Sequence, residues 1–385
     1  MFTVKKMKAS EFFLVALTLG LTIFGIIMVF SASYYLSINN WGDPYYFLRR
    51  HIMWALLGLV LMFATTMINY RIYAKFAPVI LLGGLVLLGL IFTPLGVEVN
   101  HATRWIGIGA NNQFTIMPGE VIKIALIIFV AWYLSKDPTR AKSLVRGFLP
   151  MVALAGICAV MLVLQPALST AITVVGIVIG ILFVAGLNPL VILGLVGASG
   201  AGVYVFITAD PTMYWYRRLT SFMDPFADPL NTGYQAVQSL LALGSGGVTG
   251  LGLGQGIQKS LYLPEPHNDF IFAIVGEELG FIGCLLLITM YILVIWRGTS
   301  IAINAPDLFG TLVAFGITIM LAIQVIFNVA VVTSSMPPTG VTLPFLSFGG
   351  NALLLFMGSM GILLNISKQS TRQNNSYQAE TEPVA

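Results

Sequence analysis

Four side chains able to exchange protons or hold phosphates sit close together in the chain: Lys259, Glu265, His267 and Asp269. Pro264 and Pro266 keep the approach to them extended. Asp269 is the last polar residue before Phe270-Ile271-Phe272, where an apolar run begins, which predicts its carboxylate at the lip of a membrane helix. A carboxylate there has two uses. It can cap the helix that follows, which Asp does well, or it can take a proton from a reacting hydroxyl. Glu277 and Glu278 follow about two turns deeper. Ionisable groups at that depth point to function. Neighbours on a helix face about 100° apart, so one carboxylate, assigned as Glu277, is expected to face a cavity while the other pairs within the bundle.

A second ionisable pair opens another apolar run, Pro118-Gly119-Glu120 with Lys123 three residues on. That spacing places Glu120 and Lys123 on one helix face. They form either a structural ion pair or part of the cavity wall that tunes Asp269, since a cation lowers a carboxylate pKa and apolar surroundings raise it.

What positions these groups is an all-α membrane bundle. The 385 residues are 57% hydrophobic and only 9% charged, against about a quarter charged in soluble domains. Apolar runs long enough to span lie near 12–33, 51–69, 74–93, 119–135, 147–165, 168–187, 190–208, 269–296, 308–333 and 349–367, about ten helices. Lys5, Lys6, Lys8, Arg71, Lys75, Lys136, Arg140, Lys142, Arg146, Arg297, Lys368 and Arg372 then share one face. By the positive-inside rule that face is cytoplasmic and holds both termini. The other face receives segments 94–118, 209–268 and 334–348.

Within 209–268, the glycines between Gly244 and Gly256 lack the strand and the Lys-Ser/Thr ending of a nucleotide loop. They read either as a flexible linker or as bare backbone for a large headgroup. Segment 336–350 is rich in proline and glycine, which suggests irregular backbone against a cavity, with Asn328 placed to add a hydrogen bond there. Residues 369–385 are polar and aperiodic and read as a disordered cytoplasmic tail. Cys158 and Cys284 lie in apolar runs, the histidines lack zinc spacing, and a net charge of +4 does not suggest nucleic acid.

Taken in order, these motifs resemble the SEDS family of cell-wall polymerases (FtsW, RodA and SpoVE). The resemblance runs from Val29-Phe30-Ser31-Ala32-Ser33 through Arg104-Trp105, Pro118-Gly119-Glu120, Arg217-Arg218-Leu219, Asp224-Pro225 and Gly233-Tyr234-Gln235. Its most specific part is Leu263-Pro264-Glu265-Pro266-His267-Asn268-Asp269-Phe270 with Glu277-Glu278-Leu279-Gly280, in the form of the FtsW and SpoVE branch. Gly340-Val341-Thr342-Leu343-Pro344-Phe345 and Ser347-Phe348-Gly349-Gly350 close the set.

The resemblance implies ten helices in a bacterial cytoplasmic membrane. It also implies an inverting glycosyltransferase that polymerises lipid II, the undecaprenyl-pyrophosphate-linked disaccharide peptide, on the outer face in division or sporulation. Asp269 takes the place of the family's essential aspartate. The implied lipid-linked substrate makes Arg104, Arg217, Arg218 and Lys259 the cations expected to neutralise its pyrophosphate by charge-assisted hydrogen bonds. His267 and Ser347 complete the expected headgroup-binding set. A class B penicillin-binding protein transpeptidase is the implied partner, surrounded by membrane lipids, and a divalent cation, magnesium or manganese, is a possible aid. A lipid II flippase and a non-catalytic scaffold for the transpeptidase are the alternatives. The chain departs from the family where Gln165-Pro166-Ala167-Leu168-Ser169-Thr170 replaces Gln-Pro-Asp-Leu-Gly-Thr, and where Gly119 and Asn351 stand for serines.

Overall fold

The computed structural model describes residues 9–99, 102–108, 114–137, 139–140, 143–210 and 214–381. Lys5, Lys6, Lys8 and Lys142 lie outside them. In chain order the helices are α1 (Ala9–Trp41), α2 (Tyr46–Met67), α3 (Arg71–Leu90), α4 (Pro118–Ser135), α5 (Leu149–Val163) after a π-helical turn at Leu144–Phe148, and α6 (Leu168–Val184). They continue with α7 (Pro189–Thr208), α8 (Tyr214–Met223), α9 (Tyr234–Gly246), α10 (Ile271–Ile303), α11 (Leu308–Val332) and α12 (Gly350–Thr381). Among the described residues nine helices are long and apolar enough to cross a membrane, and α6 is a shorter apolar helix beside them.

A helix lies at each expected span, although α6 is short for one and α1 and α10 run eight and seven residues past their expected ends. Three other features differ. Segment 94–118 folds into a three-stranded antiparallel sheet, β1 (Gly96–Val99), β2 (Ala102–Ile108) and β3 (Phe114–Ile116), ordered β1-β2-β3. It is short and half-exposed, so its alternation was masked by the apolar runs around it. The helical backbone of α12 continues to Thr381 where a disordered tail was expected from Gln369. No proline or glycine interrupts Ser370 to Thr381, and Pro383 comes only after it. Third, the glycine run is neither a linker nor a headgroup platform.

The buried core runs through α10, α11, α4 and α6, with α2 packed along α12 and α9 against α10. α10 is broken at Gly280, whose φ of 65° and ψ of −165° lie outside the helical region. An unbroken helix would send the N–H groups of Phe281 and Ile282 to the carbonyls of Glu277 and Glu278. Here those N–H groups donate to Gly247 and Val248 carbonyls at 2.9 and 3.2 Å, while Leu251 and Gly252 N–H groups reach the Glu277 and Glu278 carbonyls at 3.0 and 2.9 Å. The glycine-rich loop is thus spliced into the helix by its own backbone, which satisfies groups that lipid could not. A Cβ on Gly280 would stand 2.3 Å from the Gly250 nitrogen.

The buried acids lock this junction. Glu277 Oε1 accepts from the N–H groups of Ile257 and Gln258 at 2.7 and 3.1 Å. Glu278 Oε1 takes Lys259 Nζ at 2.5 Å and Ser31 Oγ at 2.7 Å, and Ser31 in turn accepts from Lys259 at 2.9 Å. Glu277 therefore holds loop backbone and does not face a cavity. Lys259, 2% exposed, neutralises Glu278 and is not a phosphate ligand. Burial of such a long cation demanded a partner of opposite sign.

Gly280→Ala should lower the thermal unfolding midpoint of the purified protein, by at least the ~1–3 kcal/mol of a forced backbone conformation. An unchanged midpoint would refute the splice. Lys259→Met, which leaves Glu278 buried and unpaired, should cost about 3–5 kcal/mol. The same thermal scan measures it, and substrate affinity of the surviving folded fraction should be unchanged.

Candidate active site

At the end of the bundle opposite the termini, the loops enclose a cavity of about 1360 Å³. Its charged wall holds Arg50, Arg104, Arg218, Glu120, Glu265 and Asp269. The site is assembled from distant stretches of chain. β2 carries Arg104, α8 carries Arg218, the first turn of α4 supplies Glu120, and the irregular segment before α10 supplies Glu265 and Asp269.

Asp269 does not cap α10. The capping position is Phe270, which makes no side-chain cap bond. Instead the backbone of Asp269 is fixed by Asn328 of α11, whose Nδ2 donates to the Asp269 carbonyl at 2.8 Å and to the Val341 carbonyl at 2.7 Å. One amide thus ties the aspartate to the irregular segment after α11. That segment passes directly over the carboxylate at Gly340, where a Cβ would lie 3.2 Å from Asp269 Oδ2 and 3.7 Å from Arg104 Nη1. With φ at +73°, Gly340 also holds a backbone conformation that suits glycine.

Burial pushes the Asp269 carboxyl up to about 6; the charge of Glu265 adds to the rise, while Arg104 and Arg218 oppose it. The result is a base near the working pH. Tuning therefore comes from Glu265, Arg104 and Arg218 and not from Glu120 and Lys123. Those two form a buried ion pair at 2.7 Å. Glu120 lines the cavity while Lys123, 1% exposed, is sealed behind it near the Phe356 ring. The pair is structural on the Lys123 side and polar lining on the Glu120 side.

Both arginines are braced against proline carbonyls. Arg104 Nη2 donates to the Pro166 carbonyl, and Arg218 Nη1 to the Pro338 carbonyl at 2.5 Å. The Arg217 side chain lies outside the described ones, although its backbone belongs to α8. The departure at 165–170 has a local counterpart. Ala167 sits at the capping position of α6 without a side-chain cap, while the Ser169 hydroxyl donates to the Thr339 carbonyl at 2.8 Å and holds that segment in place.

His267 and Ser347 do not belong to the headgroup site. His267 is buried between Phe47 and Phe348, with ring centroids 4.2 and 5.5 Å away. Burial, and then the charge of His51, pull it down to about 3, so it is neutral at physiological pH and no phosphate cation. Ser347 Oγ accepts from the Leu343 N–H at 2.7 Å and closes a buried turn. Sequence reasoning missed Glu265 as a cavity wall, although it named the residue, and missed Gln324 on α11 altogether. A lone glutamine within an apolar run is a weak signal, but it is the same signal that exposed Asn328 one turn later.

A family model described as cell cycle protein, covering FtsW, RodA and SpoVE, matches residues 11–372. Stage V sporulation protein E of Bacillus subtilis (strain 168) is 42% identical over 368 residues, 95% of this chain and 99% of the relative. A probable peptidoglycan glycosyltransferase FtsW from Geobacter metallireducens is 40% identical over 364 residues, 94% and 96% of the two chains. Among solved structures, a chain from work on the structural coordination of polymerization and crosslinking by a peptidoglycan synthase complex superposes with a TM-score of 0.79. It is 27% identical, and the match covers 94% of this chain and 99% of that one. The rod shape determining protein RodA of Thermus thermophilus gives 0.67 at 26% identity, with 93% and 96% covered. The chain belongs to the FtsW/RodA/SpoVE family of multi-pass membrane proteins.

Proposed function

We propose that this chain is a peptidoglycan glycosyltransferase that polymerises lipid II at the outer face of the bacterial cytoplasmic membrane, with Asp269 as general base. The observation that carries the reading is a carboxylate tuned to about 6 in the same cavity as three arginines. Asp269 takes the proton of the acceptor sugar's 4-hydroxyl as that oxygen attacks the anomeric carbon of the donor. The bond from that carbon to the donor's pyrophosphate breaks, and the electron pair leaves on the phosphate oxygen. Attack opposite the leaving group inverts the anomeric centre. Arg104 and Arg218 are placed to neutralise the departing pyrophosphate, charge against charge, where little water competes. A cavity of about 1360 Å³ exceeds the roughly 300–1,000 Å³ of an ordinary small-ligand site and suits two headgroups side by side.

The relatives named as probable peptidoglycan glycosyltransferases support this activity. The structural neighbour drawn from a peptidoglycan synthase complex supports a cross-linking partner, which we assign as a class B penicillin-binding protein transpeptidase. Among the described residues no three carboxylate, histidine or cysteine side chains converge on one point. A magnesium or manganese ion arriving with the pyrophosphate would meet the Asp269 and Glu265 carboxylates on the cavity wall and would supply charge neutralisation to the leaving group. A flippase needs no base at one end of the bundle, and a scaffold needs no tuned carboxylate.

Asp269→Asn should lower lipid II polymerisation in liposomes, with the transpeptidase present, by about 10²–10⁴-fold while leaving insertion and thermal stability near wild type. Full activity in that variant would sink the base assignment. The pH profile provides an independent check. The base works only when ionised, so polymerisation should fall as pH drops through about 6. An acid limb at the ordinary carboxylate value near 4 would contradict the tuning by burial and Glu265.

A further inference from the structure

Part of the polar lining of the cavity is neutral and part is charged. Gln324 on α11 lines the cavity and is 3% exposed, and its Oε1 has no hydrogen-bond partner in the protein. Thr339 lines the same cavity, is 5% exposed, and its Oγ1 likewise has no partner. A buried polar atom left unpaired costs free energy, and inside a membrane such groups mark binding sites. Both residues line one cavity. Gln324 lies four residues before Asn328, on the same helical face and about 6 Å deeper. Asn328 holds the Asp269 backbone. The glutamine therefore sits roughly one turn beneath the place where a reacting hydroxyl would meet its base.

We propose that Gln324 and Thr339 form a neutral subsite for the acetamido group of the acceptor sugar. A carboxamide offers a donor and an acceptor side by side, which matches the N–H and C=O of an acetamide, and the threonine hydroxyl can take either role. Apolar side chains of the same cavity, Val163, Leu164 and Phe270, supply walls for the acetyl methyl group. The acetamido group sits two ring carbons from the 4-hydroxyl of an N-acetylhexosamine, so one sugar can reach both Asp269 and this neutral lining. The inference rests on the glycosyltransferase reading and assigns the group that selects the acceptor.

The test uses the full-length protein in detergent and a short-chain, water-soluble lipid II. Its partner probe is an analogue with hydroxyl in place of the acetamido group on the acceptor sugar. Binding is measured by calorimetry and polymerisation separately. Wild type should prefer the acetamido form by about ten- to a hundredfold, the range of a buried polar group losing its partner. Gln324→Met should erase that preference by weakening the natural ligand and leaving the analogue unchanged. Thr339→Val, which removes only a hydroxyl, should reduce it and stands in if the methionine variant fails to fold. Equal preference in wild type and Thr339→Val, with Gln324→Met equal as well where it folds, overturns the subsite, as does a wild type that binds both probes alike. A wild type that binds selectively but makes no glycan overturns the polymerase reading and leaves the subsite standing.

Discussion

Within a bilayer no water repairs a missing hydrogen bond, so a break in a spanning helix must be repaired by protein. The break in α10 at Gly280 is repaired by the backbone of residues 247–252, and much of the site depends on that repair. The spliced loop fixes where the first two turns of α10 stand. Glu277 and the Lys259–Glu278–Ser31 network then fasten the loop to helix and bundle. Asp269 precedes those turns directly, so its place is set by the hydrogen-bonded junction behind it and by Asn328. Glu277, Glu278 and Lys259 serve this framework.

The chemistry is set by a balance of opposing influences on one carboxylate. Enclosure and Glu265 favour the protonated form of Asp269, while Arg104 and Arg218 favour the ionised one. Burial and Glu265 make the carboxylate hold its proton more tightly, and the arginines make it release that proton more readily. The arginines carry a second duty, and bracing against the Pro166 and Pro338 carbonyls keeps their charge near the base without collapse onto it. Gly340 leaves the carboxylate room that a side chain would fill.

The spans and the border position of Asp269 were legible in the sequence because each rests on a local signal: twenty apolar residues, or a carboxylate next to an apolar run. The roles of charges were less legible. Lys259 and Glu277 carry the same formal signs as catalytic groups, and only their partners, Glu278 and the loop N–H groups, show them to be structural. His267 lies two residues from Asp269, yet the aromatic rings of Phe47 and Phe348 exclude it from the site. The sheet at 96–116 escaped notice because its strands are only three to seven residues long and sit between much longer apolar runs. Glycine spacing announced that backbone comes close to something at 244–256, but what it approaches is set by a bond pattern across the fold.

The splice also bears on the order in which the chain is built. The loop that completes α10 is made before the helix it completes, only about thirty residues earlier. The carbonyls of Glu277 and Glu278 therefore find their partners in chain already synthesised, over a short loop whose closure costs little entropy. The junction can close as soon as α10 emerges, without waiting for α11 or α12. A site that depends on distant segments, β2, α8 and α11, thus assembles around a nucleus that is local in sequence.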